Sequence, residues 1–277
     1  MIGNAKELIT HARASNQAVP ALNIDSIDMA MAVIQAGERC QAGFILQVTA
    51  ETLDIWGWEF LTETLMGMAE KASVPVALML DHAKRLDYIR RAVDLGYPGV
   101  MFDGSALPLS ENIAQTQEVV RYAKARGTFV EGEVGHVARD GEPPEWEHLT
   151  TVKEAVEYWE AAGIDALAVA VGSKHGHYRS AKDINVERVG EIYAAVQAPL
   201  VLHGGSGLPA ELFGAVIRGG IAKVNVGTEL RRVWWAAMDA ARQSKPREAL
   251  LSAREHVADR AIEIIHLMRS SGISPQF

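Results

Sequence analysis

The sequence predicts a single barrel of eight parallel β-strands and surrounding helices, a TIM barrel, with extra helices at its C-terminal end. Three observations predict it. Eight short apolar runs, many of them β-branched, alternate with stretches whose apolar residues return every three or four positions. That alternation implies βαβ crossovers and a parallel sheet. The 277 residues lie near the ~250 typical of one such barrel, and no Pro-, Ser- or Gly-rich linker or charge block divides them. The reading is therefore one α/β domain over residues 1–277. Eight units fit a closed barrel better than an open doubly wound sheet, although counting alone leaves the latter open.

The strands are expected, in order, at Ala18 to Ile24, Gly43 to Val48, Val76 to Leu80, Gly99 to Phe102, Thr128 to Val130, Ala166 to Val171, Leu200 to Leu202 and Ala222 to Val226. Helical spacing fills the intervals at Asp28 to Cys40, Glu59 to Ala72, Leu86 to Leu95, Ser110 to Arg126, Thr151 to Ala162, Asn185 to Val196 and Pro209 to Arg218. The stretch from Thr228 to Met268 is mostly helical, with a break at Lys245-Pro246-Arg247 because the residue before a proline avoids helical backbone. Trp56-Gly57-Trp58 falls in the loop after the second strand, where lining the site or an interface is the alternative to the commoner buried packing role. Trp234 and Trp235 read as packing for a C-terminal helix.

Composition bounds the function. With 48% hydrophobic and 22% charged residues, the chain has ordinary soluble globular make-up. Its net charge of −8 argues against a general nucleic-acid binder while leaving room for a local phosphate pocket. Cys40 is the sole cysteine, which excludes an internal disulfide and fits a reducing compartment. Met1 to Ser15 lacks the apolar core of a secretory leader, and no run is long enough to span a bilayer. A cytoplasmic protein without membrane partners is expected.

Function is read from where the polar residues fall. The strands end in turn at Asn23, Thr49, Asp81-His82, Asp103-Gly104-Ser105 and Glu131 with Glu133. Strands six to eight run into Gly172-Ser173-Lys174-His175-Gly176, His203-Gly204-Gly205-Ser206-Gly207 and Asn225-Val226-Gly227-Thr228. In a barrel these ends share one face, the face that carries the active site. His82, His175 and His203 follow three different strands, a set able to hold a catalytic divalent metal with one position open. Singly, each is more often a hydrogen-bonded loop histidine; three at equivalent ends favour the ligand reading. The remaining histidines, His11, His136, His148, His177, His256 and His266, read as mostly solvated.

Asp81 directly precedes His82, so their side chains are expected to diverge, and a carboxylate there suits proton transfer. A helix cap or an ion pair with Arg85 is the plainer alternative. Asp103 and Glu133 either orient ligand histidines or bind a second ion; structural pairing with Lys or Arg is as good an account of each alone. Gly204 to Gly207 and Gly227-Thr228 open helices, where free N–H groups bind anions. Turn chemistry is the commoner use of isolated glycines. There is no G-x-S-x-G, G-x-G-x-x-G, Walker A or H-E-x-x-H motif.

Taken together, Val19-Pro20-Ala21-Leu22-Asn23, Leu80-Asp81-His82, Val100 to Ser105, Glu131-Gly132-Glu133-Val134-Gly135, Ala168 to Gly172 with His175-Gly176, Leu202 to Gly207 and Lys223 to Leu230 make the chain resemble the class II, metal-dependent ketose-bisphosphate aldolases over nearly its whole length. The resemblance implies zinc on His82, His175 and His203, with Asp81 as catalytic acid and base. It implies that Gly176, Gly204, Gly205, Ser206, Asn225, Gly227 and Thr228 hold the phosphate and hydroxyls of dihydroxyacetone phosphate. Asn23 and Thr49 would line the pocket, and Asp103 and Glu133 would support the metal or hold a second ion. It further implies a monovalent cation (Na+ or K+) near the phosphate and a homodimer or homotetramer. The implied reaction is reversible cleavage of a ketose 1-phosphate or 1,6-bisphosphate to dihydroxyacetone phosphate and an aldehyde, through a metal-stabilised enediolate.

Departures from the family pattern concern the aldehyde half. Met79 stands where a histidine is common, and Ala106 where the run Asp103-Gly104-Ser105 usually continues with histidine. The loop His136-Val137-Ala138-Arg139-Asp140-Gly141-Glu142 lacks the paired glycines that precede its acidic residues, so Asp140 and Glu142 are only candidates for the second proton base. Lys245-Pro246-Arg247 replaces an Asp-Pro-Arg that grips a bisphosphate in a neighbouring subunit, keeping Arg247. Lys174, Arg139, Lys245 and Arg247 are cations suited to a phosphate or a carboxylate. A phosphorylated keto-sugar acid is thus the alternative substrate. A non-catalytic metal- and phosphate-binding barrel and a metal-dependent hydrolase are the remaining alternatives.

Overall fold

The computed structural model describes residues 1–137, 148–173 and 184–270. Its strands are β1 (Val19–Asn23), β2 (Phe44–Thr49), β3 (Val76–Ala83), β4 (Gly99–Phe102), β5 (Phe129–Val134), β6 (Ala166–Val169), β7 (Leu200–Leu202) and β8 (Ile221–Val226). Each pairs in parallel with the next, and β8 returns to β1 to close the barrel. The helices are α1 (Ala5–Ala14), α2 (Ile27–Arg39), α3 (Ala50–Trp56), α4 (Trp58–Lys71), α5 (Leu86–Asp94), α6 (Leu109–Lys124), α7 (Val152–Ala162), α8 (Val186–Val196), α9 (Ala210–Gly219), α10 (Thr228–Ala240) and α11 (Pro246–Ser270). The predicted fold class is the observed one.

Two strands run further than their apolar patterns suggest. β3 includes Asp81, His82 and Ala83, and β5 includes Glu131 and Glu133. Polar residues interrupt an apolar run, yet inside a closed barrel they have polar partners on other strands, so the ladder continues through them.

The core has two layers. The larger lies between strands and helices, with residues such as Leu22, Leu46, Leu80, Phe102, Val169 and Val226. The second fills the barrel and is made of small or flexible residues, among them Ala21, Ile45, Ala77, Met79, Met101, Ala168 and Val201. Ala5, Ile9 and Ala12 of α1 join this inner cluster and close the barrel floor. The apolar spacing of the sequence does not predict this helix. Asn4 caps α1 by accepting from the N–H groups of Lys6 and Glu7. Met79 is fully buried in the inner cluster, so at this position the chain has a packing residue.

Two further corrections concern the tryptophans. Trp56 and Trp58 are not in a loop: they end α3 and begin α4, separated by Gly57, whose φ of +87° turns the chain between them. Trp58 is buried, as a packing role requires, whereas Trp56 is exposed. Trp234 packs on the core, whereas Trp235 is 65% exposed and does not pack a helix. The expected break in the last helical stretch lies after α10, and Pro246 opens α11, where its missing N–H costs nothing. Val257, Ala261, Ile264, Ile265 and Met268 seat α11 in the core.

Candidate active site

The strand ends meet at one mouth of the barrel, and their polar residues form one connected network. Asp81 is 2% exposed and accepts three side-chain amides. Asn23 Nδ2 donates to Oδ2 at 2.7 Å, and Gln47 Nε2 and Asn225 Nδ2 donate to Oδ1 at 3.2 and 3.3 Å. Register explains the grouping: Asn23 lies beside Gln47, and Ala21 beside Asn225. Burial alone would raise the Asp81 carboxyl, but the positive charges of His82 and Lys223 and the Asn23 hydrogen bond hold it below its usual range.

His82 corrects the expectation that it diverges from Asp81. Its φ is +48°, and the pairing of β3 with β4 shifts register between Leu80 and Ala83. This irregularity breaks the strict alternation of side chains and re-aims one of two consecutive residues. Ligand atoms of Asp81, His82 and His203 consequently lie within 4.8 Å of one another. Arg85 pairs with Asp87, not with Asp81.

The two imidazoles meet edge to face with ring centroids 4.5 Å apart. His82 Nε2 and His203 Nδ1 are 2.8 Å apart. Each ring has a carboxylate on its other nitrogen. Asp103 Oδ2 lies 3.1 Å from His82 Nδ1, and Glu131 Oε1 lies 2.9 Å from His203 Nε2. Burial favours a neutral His82, but Asp81, Asp103 and Glu133 outweigh it and raise the imidazole to about 9. Burial and the neighbouring His82 charge keep His203 well below the usual histidine value. The metal-free pair is thus one imidazolium donating to one neutral imidazole.

This donor set fits a divalent metal. Carboxylates on His82 Nδ1 and His203 Nε2 leave His82 Nε2 and His203 Nδ1 as ligand atoms, the usual outer arrangement of metal-binding histidines. His82, Asp103 and Glu133 form a second group with ligand atoms within 4.8 Å of one another. Asp103 is held from behind by Ser105, whose hydroxyl donates to Oδ1 at 2.7 Å and lies 3.1 Å from His136 Nδ1. His136 is therefore buried and bonded, contrary to the solvated reading.

The glycine clusters sit beside the same mouth. Gly205 N–H donates to Asn225 O at 2.8 Å, and a Cβ there would lie 2.4 Å from Val224 Cγ1. Gly204 has φ of +73°. Ser206 Oγ accepts from Glu229 N–H in the first turn of α10, the helix that Thr228 opens and Gly227 precedes. A Cβ on Gly227 would touch Asn23 at 3.0 Å. Thr49 caps α3, accepting from Thr52 N–H. Arg247 lies on the exposed first turn of α11 and is not brought to this network. His175, Gly176, Lys174, Arg139, Asp140 and Glu142 lie outside the described residues.

Three members of the network have no place among the residues the sequence singles out by role: Gln47, Glu131 and Lys223. Glu131 ends an apolar run and is visible as a strand-end carboxylate; the other two are isolated polar residues inside strands, with no local pattern around them.

A closed parallel barrel with paired imidazoles and a caged carboxylate at one mouth presents a group of side chains able to hold a metal ion. Residues 3–273 match the family described as fructose-bisphosphate aldolase class-II, and the chain belongs to that family. The enzyme is accordingly an aldolase, a carbon–carbon lyase. It is 39% identical over 234 residues to the 6-phospho-5-dehydro-2-deoxy-D-gluconate aldolase of Halalkalibacterium halodurans, covering 83% of this chain and 81% of that protein. The protein of the same name from Bacillus licheniformis is 36% identical, covering 83% and 80%. Among solved structures, the YdjI aldolase from Escherichia coli K12 superposes with a TM-score of 0.89 at 31% identity, covering 98% of this chain and 99% of that one.

Proposed function

We propose that this enzyme is a zinc-dependent aldolase that cleaves a phosphorylated keto-sugar acid reversibly to dihydroxyacetone phosphate and a short aldehyde acid. One observation carries the mechanism: the buried Asp81 carboxylate, held by three amides, shares a site with the facing nitrogens of His82 and His203. The relatives' substrate supports the sugar-acid half. The absence of aspartate before Pro246-Arg247 and the alanine at position 106 are departures in the part of the family pattern that meets the aldehyde half, and they fit this reading.

The bond changes follow from the substrate named for those relatives. Its ketone is at C5 and a hydroxyl is at C3, so retro-aldol cleavage breaks C3–C4. Asp81 takes the C3 hydroxyl proton as the C3 aldehyde forms, and the bonding pair passes to C4, conjugated with the ketone. Protonation of C4 completes dihydroxyacetone phosphate, and the other product is 3-oxopropanoate. In condensation Asp81 returns its proton to the new hydroxyl. His82, His203 and His175 would hold the zinc, which supplies Lewis-acid polarisation of the ketone oxygen. Asp103 and Glu133 orient His82 or hold a second ion. Asp140 and Glu142 are the residues from which the C4 proton donor is drawn.

The phosphate is assigned to Gly176, Gly204, Gly205, Ser206, Asn225, Gly227 and Thr228, with a Na+ or K+ ion beside it. The start of α10 beside this loop and the close backbone approach that glycine permits support this. Asn23 and Thr49 face the sugar. A homodimer or homotetramer, with Arg247 reaching a neighbour's site, is supported by the exposed apolar side chains of Ile55, Phe60 and Trp235. A cytoplasmic location is supported by the single cysteine; no helix among the described residues is long and apolar enough to cross a membrane.

The test is steady-state cleavage of 6-phospho-5-dehydro-2-deoxy-D-gluconate, fructose 1,6-bisphosphate and tagatose 1,6-bisphosphate. The acid should lead in kcat/KM by about a hundredfold or more. A strong preference for either bisphosphate overturns the sugar-acid reading and leaves the aldolase intact.

A further inference from the structure

We infer that Lys223 is a positioning residue that sets two parts of the site at once: the metal-facing nitrogen of His203, through Glu131, and the amide donor on Asp81, through Asn225. This rests on the metal centre proposed above.

Lys223 and Glu131 are both fully buried. The lysine stands on β8 and the glutamate on β5, strands that are not neighbours, so their contact crosses the barrel interior. Lys223 Nζ donates to Glu131 Oε2 at 2.8 Å, and Glu131 Oε1 lies 2.9 Å from His203 Nε2. A carboxylate accepts and does not donate, so Glu131 places the ring proton on Nε2 and leaves the Nδ1 lone pair facing His82. Lys223 Nζ also donates to Asn225 Oδ1 at 2.8 Å. An ammonium has donors only, so it selects the oxygen end of that amide. The nitrogen end then faces Asp81 Oδ1 at 3.3 Å.

Stability does not account for this lysine. A buried ion pair is at best about even with well-packed apolar residues of similar volume, because desolvation offsets the attraction. The inner apolar cluster is built of alanine, valine, isoleucine and methionine with Phe129. What an apolar residue at 223 cannot do is direct two hydrogen-bonding groups in opposite senses.

The experiment is cobalt(II) titration of chelator-treated full-length protein, reading affinity and the d–d absorption bands, followed by steady-state kinetics at saturating cobalt. Lys223→Met and Glu131→Gln should each bind cobalt about 10–100-fold more weakly, with altered bands. Lys223→Met should also lose kcat by about 10–100-fold with little change in KM, whereas Glu131→Gln, which leaves the Lys223–Asn225 contact, should keep more of its kcat. A folded Lys223→Met with wild-type affinity, bands and kcat overturns the inference. If that variant does not fold, Lys223→Met/Glu131→Gln removes the stranded carboxylate. Weaker cobalt binding in the double variant supports the inference, and wild-type cobalt behaviour overturns it. Failure of the metal reading is seen separately: the unaltered protein would take up no cobalt, or His203→Ala would take up as much as the unaltered protein.

Discussion

Replacing Asp81 by alanine tests the mechanism where it is most exposed to failure. The substitution removes the proton acceptor and leaves His82 and His203 in place. Loss of one general base costs about 10²–10⁴ in rate, so kcat for cleavage should fall by at least that range. Three amides, on Asn23, Gln47 and Asn225, lose their common acceptor. A buried donor left without an acceptor costs about 1–3 kcal/mol, but the space left by the carboxylate is polar and suited to water. A net destabilisation of about 1–3 kcal/mol is therefore expected, not three times that. At this chain length each kcal/mol lowers Tm by about 2–4 °C.

The assay has two arms. Cleavage is followed by coupled detection of dihydroxyacetone phosphate, and proton exchange of dihydroxyacetone phosphate in D₂O by NMR. In the proposed mechanism Asp81 handles the hydroxyl proton of the carbon–carbon step, so Asp81→Ala should lose cleavage while retaining chelator-sensitive exchange at the carbon. Cleavage within tenfold of the unaltered enzyme would remove Asp81 from the mechanism. Loss of both activities together with loss of bound metal would assign it to the metal centre.

Other outcomes follow from individual contacts. Gly205→Ala places a methyl 2.4 Å from the buried Val224 Cγ1, so it should cost about 1–3 kcal/mol in thermal unfolding and raise KM for phosphorylated substrates; an unchanged Tm would mean the loop yields freely. In metal-free protein, His82 is raised from 6.5 to about 9. Its contacts with Asp81, Asp103 and Glu133 stabilise the fold fully below about pH 6.5, and that contribution is lost as pH rises through 9. Tm of the chelated protein should drop across that window and the drop should shrink in His82→Gln; identical pH profiles would refute the assignment. Thr151→Ala removes the capping box of α7 and should cost about 0.5–2 kcal/mol without changing kcat, which separates stability from activity in the same assays.

Much of the architecture was legible in the sequence because barrel strands buried on both faces are short apolar runs between helical periodicities. The failures have identifiable causes. Half of α1 is polar, and the residues it turns toward the inner cluster, Ala5, Ile9 and Ala12 with Leu8 beside them, are mostly small. α3 is short and ends at a glycine, so it reads as a loop. His136 looks like a loop histidine until Ser105 and Asp103 are folded beside it.

The residue types at the strand ends were determined by the sequence alone: Asp81, His82, Asp103, Glu133, His203 and the glycine clusters all follow apolar runs. Only the tertiary structure decided which way they point. A positive φ at His82 turns consecutive residues into one site, against the alternation that a strand pattern predicts. The contact between Lys223 and Glu131 spans 92 residues of chain, and no local pattern marks either as the other's partner. Hydrogen bonds between opposite strands exist only once the barrel has closed, so the network that orients the site is a property of closure.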